Sequence, residues 1–265
     1  MICLFVHGTA SSGRIWRRVL ECLRSGGFSG EGPFLCPDLP GMGGSPAARG
    51  LTFADWLGFL RDAVLGALEV QAQRNDCAGP VGDRRVHLIG HSLGAVVAMH
   101  LAREPWAGSV ALISPATAKF CRELKKASPP GASEGTILLT RVSGRLVANP
   151  AALTREDAAL LRDDYAKASA TLRSGLPWPE FRQSEASLLR GKRVLMLWGE
   201  ADEVIAPCYF EEAKADLERE AVSVKAVSLP GCGHIPMLER PAEVAAVLAE
   251  FWRESEGVIA CCPSR

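Results

Sequence analysis

The chain has 265 residues, 48% of them hydrophobic, and its 30 basic and 30 acidic side chains cancel. That length suits one α/β domain with a large core, and zero net charge removes the electrostatic case for nucleic acid or an anionic membrane surface as the main partner. Nine cysteines, an odd count without a CxxC pair, argue against a zinc knuckle or a thioredoxin-type redox motif and for a reduced, cytoplasmic protein. Met1 to Val6 is an apolar stretch without the basic flank of a signal peptide, and far too short to span a membrane.

In chain order, short apolar runs bounded by turn residues predict strands over 2–6, 33–36, 85–89, 110–113, 194–198 and 222–227. Continuous apolar runs suit strands buried on both faces of a parallel sheet. Helical patterns occupy 16–23, 53–70, 93–103, 208–219 and 241–252, and Pro207 and Pro241 suit the first turns of the last two. The alternation predicts an α/β fold, a mostly parallel central sheet flanked by helices with right-handed crossovers. From 115 to 190 no strand pattern occurs. Helix-like stretches there are divided by Ser128-Pro129-Pro130-Gly131, Asn149-Pro150 and Pro177-Trp178-Pro179. The clearest runs over 151–172, with Leu153, Leu160, Leu161 and Tyr165 at roughly helical spacing and Thr154 as a candidate cap. The expected organisation is a core over 1–114 and 191–254, a helical cap over 115–190 inserted between strands, and a loose tail over 255–265.

Gly90-His91-Ser92-Leu93-Gly94 is a GxSxG pattern. The pentapeptide alone is unspecific, but here an apolar strand ends just before it and an Ala/Val-rich helix starts just after it. In that context the serine sits on a strained strand-to-helix turn, with its hydroxyl at the mouth of the sheet. A structural turn is the plainer alternative. A serine nucleophile needs a base, and in a strand–turn–helix site the order is Ser, acid, His. Of His7, His87, His91, His100 and His234, only His234 lies far downstream, in a loop after a strand. His87, inside a strand, reads as a packed core residue, and His100 as a helix histidine without a catalytic part. Glu200, Asp202 and Glu203 all follow the strand over 194–198, and spacing does not choose among them. Oxyanion donors are expected from the Leu93 N–H at the helix start and from the loop His7-Gly8-Thr9-Ala10-Ser11-Ser12-Gly13, Thr9 first and Ala10 second. His7 is expected to support that loop. A phosphate-cradling loop is the weaker reading, since neither GxxxxGK[ST] nor GxGxxG stands there.

Together these segments resemble the α/β-hydrolase family over nearly the whole chain. Phe5-Val6-His7-Gly8 followed by Trp16 resembles its oxyanion loop, and Pro37-Asp38-Leu39-Pro40-Gly41-Met42-Gly43-Gly44-Ser45 its D-x-P-G-x-G-x-S loop, where the aspartate is structural. Gly199-Glu200-Ala201-Asp202 resembles the motif carrying the acid, so the resemblance selects Asp202; Gly233-His234 with Pro241 resembles the histidine loop. The resemblance implies a Ser92–His234–Asp202 triad without metal or organic cofactor. Serine at 92 departs from the family's epoxide hydrolases and dehalogenases, whose nucleophile is aspartate. Gly8 and Ile235 depart from its plant-type hydroxynitrile lyases, and His91-Ser92-Leu93 from the Asn-Ser-Met of its carbon–carbon hydrolases. The chain opens at what would be the family's third strand.

The expected activity is cleavage of a carboxylic ester through an acyl-enzyme, on a small-molecule ester or thioester, free or carrier-bound. A thioesterase or lactonase is the alternative within the class, and a non-turnover ligand receptor is the alternative outside it. A thioesterase on an acyl carrier would want a basic docking patch, which Arg122, Lys125, Lys126, Arg141 and Arg145 permit. A solvated charged surface is the plainer reading of those side chains.

Overall fold

The computed structural model describes residues 2–27, 33–46, 50–74, 85–127, 145–173, 185–220 and 222–260. Six parallel strands form one sheet: β1 (Ile2–Val6), β2 (Phe34–Leu35), β3 (Val86–His91), β4 (Ala107–Ile113), β5 (Arg193–Gly199) and β6 (Ser223–Leu229), in the spatial order β2-β1-β3-β4-β5-β6. Between and after them lie α1 (Arg17–Ser25), α2 (Phe53–Arg74), α3 (Leu93–Leu101), α4 (Ala118–Lys126), α5 (Arg155–Arg173), α6 (Pro207–Arg219), the single turn α7 (Pro236–Glu239) and α8 (Pro241–Ala260). Parallel pairing requires each strand to be followed by a crossover, and the helices supply them.

Alternation along the strands sends side chains to two apolar layers. Ile2, Leu4 and Val6 of β1 join Val194 and Met196 of β5 in a layer with α2, α3 and α6. Cys3 and Phe5, with Leu195 and Leu197, face the other way, into a layer closed by α1 and α8. There Phe5 packs against Trp16 at 5.2 Å and Trp252 at 6.4 Å between ring centroids. The central strands β1, β3 and β5 are buried along almost their whole length, which is why they read as unbroken apolar runs.

Two strands depart from that expectation. Both β2 and β6 lie at sheet edges; β2 has only two residues, and β6 is half-exposed or exposed through Ser228. Helix α5 also starts later than its pattern suggests. Pro150–Ala152 forms a separate 3-10 turn. The helix then opens at Arg155, where the Thr154 hydroxyl accepts from the Asp157 N–H and Asp157 accepts from the Thr154 N–H. This reciprocal box fixes the helix start. The last helix runs on to Ala260, past the point where a tail was expected, and residues 261–265 lie outside the described ones. The punctuating segments Ser128–Gly131 and Pro177–Pro179 lie outside them too.

A seam of charge joins α5 to α1 and the turn before it. The Ser12 hydroxyl donates to Asp164 Oδ2 at 2.6 Å, and Arg14 reaches Asp163 and Asp164, each at 2.7 Å. Arg17 pairs with Glu156, and Arg18 donates to Asp157 at 3.0 Å and to the Leu238 carbonyl at 2.7 Å. Asp157 and Asp164 are 0% and 1% exposed, so these carboxylates depend on the arginines for their charge balance.

Candidate active site

The turn from β3 into α3 places Ser92 at φ 52°, ψ −119°, a left-handed conformation that costs a non-glycine residue about 1–3 kcal/mol. Neighbouring backbone holds it there. The Ser92 N–H donates to the Ile113 carbonyl at 2.9 Å, and its carbonyl accepts from Ala95 and Ala116, both at 3.1 Å. Helix α3 begins against the end of β1, and a Cβ on Gly94 would stand 2.3 Å from the Val6 carbonyl oxygen, so only glycine permits that approach. Leu93 opens α3, and an N–H in the first turn has no partner within its own helix.

The loop after β1 lies against this turn. A Cβ on Gly8 would come 3.0 Å from Ser92 Cβ and 2.9 Å from His91 Nδ1. His7, fully buried, fixes the loop: its Nδ1 donates to the Gly8 carbonyl at 2.8 Å and its Nε2 accepts from the Leu39 N–H at 2.9 Å. Those partners require the neutral ring, and burial pushes its pKa down. Asp38 accepts from Gly13 and Gly44 N–H groups, tying the next loop alongside in the structural part the resemblance implied. Ala10 takes φ 55°.

Beyond β5, Asp202 is 3% exposed; its Oδ1 accepts from the Val204 and Ile205 N–H groups, and its Oδ2 lies 2.8 Å from His234 Nδ1. A carboxylate can only accept, so Nδ1 carries a proton. The two rival acids point elsewhere. Glu200 accepts from the Ser228 hydroxyl at the surface, and exposed Glu203 stands 4.0 Å from Arg145.

A model of the alpha/beta hydrolase family matches residues 3–247. The chain belongs to that family. Lipase LipV of Mycobacterium tuberculosis (strain ATCC 25618 / H37Rv) is 36% identical to it over 117 residues, which cover 43% of this chain and only 37% of the lipase. Among solved structures, lip1 of Acinetobacter baumannii AYE superposes with a TM-score of 0.68 at 23% identity, covering 97% of this chain and 84% of that one. A thermophilic esterase from Thermogutta terrifontis gives 0.65 at 21% identity, covering 96% and 90%. At those identities the structural likeness concerns the fold.

In this alpha/beta hydrolase Ser92, His234, Leu93 and Thr9 line one cavity of about 40 Å3. Ile15, Phe120, Val204 and Ile205 line it too, and α5 contributes Leu161 and Tyr165. The other histidines have different surroundings. His87 Nδ1 lies 2.6 Å from the Ser109 hydroxyl, and burial pushes its pKa down to about 4. His100 packs edge-on against Phe53, with its pKa lowered by burial.

Two buried residues at the site carried no role in the sequence reading. His91 Nε2 donates to the His234 carbonyl at 2.8 Å, and burial, with the neighbouring His234, holds its pKa well below 6.5. Glu239 accepts from the Gly233 N–H through Oε1 and from the Ala148 and Asn149 N–H groups through Oε2, fixing the histidine loop. The faint signal for Glu239 is a lone acid closing the apolar stretch Ile235-Pro236-Met237-Leu238.

Of the basic side chains considered for carrier docking, Arg122 and Lys126 are exposed on α4 and Arg145 faces Glu203. The Lys125 side chain and Arg141 lie outside the described residues. Among the described residues no cluster of His, Cys, Asp or Glu could hold a metal ion, and no helix is long and apolar enough to cross a membrane.

Proposed function

We propose that the protein hydrolyses carboxylic esters by acyl transfer through Ser92, with His234 as general base and acid and Asp202 as the orienting carboxylate. The observation that carries this reading is the buried hydrogen bond between Asp202 and His234, whose ring lines the same cavity as the strained Ser92 turn. His234 Nε2 takes the Ser92 proton as Oγ attacks the ester carbonyl, and Asp202 stabilises the imidazolium that forms. The oxyanion of the tetrahedral intermediate is held by the Leu93 and Thr9 N–H groups. His234 then protonates the leaving alcohol, and a water deprotonated by the same ring cleaves the acyl-enzyme and regenerates Ser92.

His91 and Glu239 act as positioning residues in this scheme. One fixes the His234 carbonyl and the other fixes the backbone before it, so the imidazole keeps its orientation through both proton transfers. Within the segment over 115–190, helices α4 and α5 serve as a cap over the site, since Phe120, Leu161 and Tyr165 from those helices line the cavity. The test is hydrolysis of p-nitrophenyl acetate by the native protein and by Ser92→Ala. Turnover is expected to vanish in the variant while its circular dichroism is unchanged; equal turnover would remove Ser92 from the mechanism.

A further inference from the structure

We infer that the site accepts small, uncharged acyl groups, and that Leu161 and Tyr165 of α5 set the upper limit on their size; this rests on the Ser92 reading above. The first support is volume. The cavity beside Ser92 measures about 40 Å3. One water-sized group needs about 10–15 Å3 on the same measure, so the space takes about three non-hydrogen atoms. Pockets for drug-sized ligands are about 300–1,000 Å3. The one to three carbons that acetyl to butanoyl groups carry beyond the carbonyl fit this space, and the seven of an octanoyl group do not.

The second support is charge. Among the described residues lining the cavity there is no lysine, arginine, aspartate or glutamate. An anionic acyl group would lose its hydration there without a cation to replace it. The polar atoms on offer are neutral: the Thr9 and Ser11 hydroxyls are buried without a hydrogen-bond partner, and each can donate to an uncharged oxygen.

The third support is the rigidity of the wall. Leu161 and Tyr165 stand four residues apart on α5 and therefore share one face. The same helix carries Asp157 and Asp164, bound to Arg18, Arg14 and Ser12. Ser12 belongs to the loop that supplies Thr9, so α5 is held in register with the oxyanion loop. Drawing α5 back to admit a longer chain would break these bonds together.

The experiment follows hydrolysis of methyl esters from acetate to octanoate by pH-stat, together with monomethyl succinate, the anionic analogue of methyl pentanoate. The native protein is expected to show its highest kcat/KM at or below butyrate, falling about tenfold or more by octanoate. Monomethyl succinate is expected to react about tenfold or more slowly than methyl pentanoate. Leu161→Ala and, at a more exposed position, Tyr165→Ala should each raise the octanoate-to-acetate ratio about tenfold. A rate that is flat or rises through octanoate, equal rates for monomethyl succinate and methyl pentanoate, or an unchanged ratio in both variants overturns the inference. Methanesulfonyl fluoride, whose methylsulfonyl group is about as small as an acetyl group, reports the nucleophile separately through one adduct per chain on the peptide containing Ser92. That adduct formed without turnover of any methyl ester would overturn the substrate class and leave Ser92 standing. No adduct on that peptide would overturn the Ser92 reading itself.

Discussion

Immediately around Ser92 the groups that hold the chain in place are neutral: backbone bonds from β4, glycine contacts against β1, and the uncharged rings of His7 and His91, while the buried carboxylates of Asp202 and Glu239 farther out are met by N–H groups and not by arginines. Along α5 they are charged, with Arg14, Arg17 and Arg18 on one side and Glu156, Asp157, Asp163 and Asp164 on the other. Both regions border the same cavity. Neutral bonds in a close-packed interior are little affected by salt, whereas half-exposed ion pairs are screened by it. The comparison therefore separates the groups assigned to chemistry, which must stay fixed, from the wall assigned to selection, which solution conditions can soften.

The predictions follow from trying to break each side. Asp202→Asn keeps the size and the bonds to Val204 and Ile205 within reach, but its amide can favour the wrong His234 tautomer. Ester turnover is expected to fall about 10,000-fold with little change in KM. A loss below about tenfold, measured with p-nitrophenyl acetate, would mean that another acid orients the ring.

Acid attacks the neutral side. His87 has its pKa lowered from 6.5 to about 4 by burial, and His7 and His91 are lowered in the same direction for the same first cause. At neutral pH both folded and unfolded rings are uncharged. As pH falls from 6.5 towards 4, the unfolded chain takes up protons that the fold excludes, so stability declines through that window. His87 alone accounts for about 3 kcal/mol at the acid end. Urea midpoints measured across this range should drop, and the drop should be smaller in His87→Gln.

The smallest effect belongs to the seam. Arg14 is 52% exposed but its partner Asp164 only 1%, and Ser12 still donates to that carboxylate, so Arg14→Ala is expected to cost about 2 kcal/mol, between an exposed and a buried pair. Its signature is different: the octanoate-to-acetate ratio should rise in the variant, and added salt should change that ratio less than it does in the native protein. Equal salt responses would show that the seam does not hold the wall.

Much of this was legible in the sequence because it is local. The GxSxG glycines, the apolar runs of β1, β3 and β5, and Thr154 before α5 each state their structure within a few residues. His234 followed from order along the chain. Asp202 did not: three acids fit the spacing, and only the resemblance chose one, because the choice depends on which carboxylate turns inward. The seam was not legible at all. Ser12 and Asp164 lie 152 positions apart, and a surface charge reads the same whether it meets water or a partner. His91 and Glu239 were missed for a related reason, since each acts on backbone atoms, which leave no trace in residue identity.

The central claim is that Ser92 is the nucleophile. It is tested most directly by treating the native protein and Ser92→Ala with methanesulfonyl fluoride, a reagent small enough for the cavity, and locating the adduct by intact and peptide mass spectrometry. The account predicts one methylsulfonyl group per native chain, on the peptide containing Ser92, and none on a folded Ser92→Ala chain. Labelling at another residue, equal labelling of the variant, or none in the native protein would contradict it.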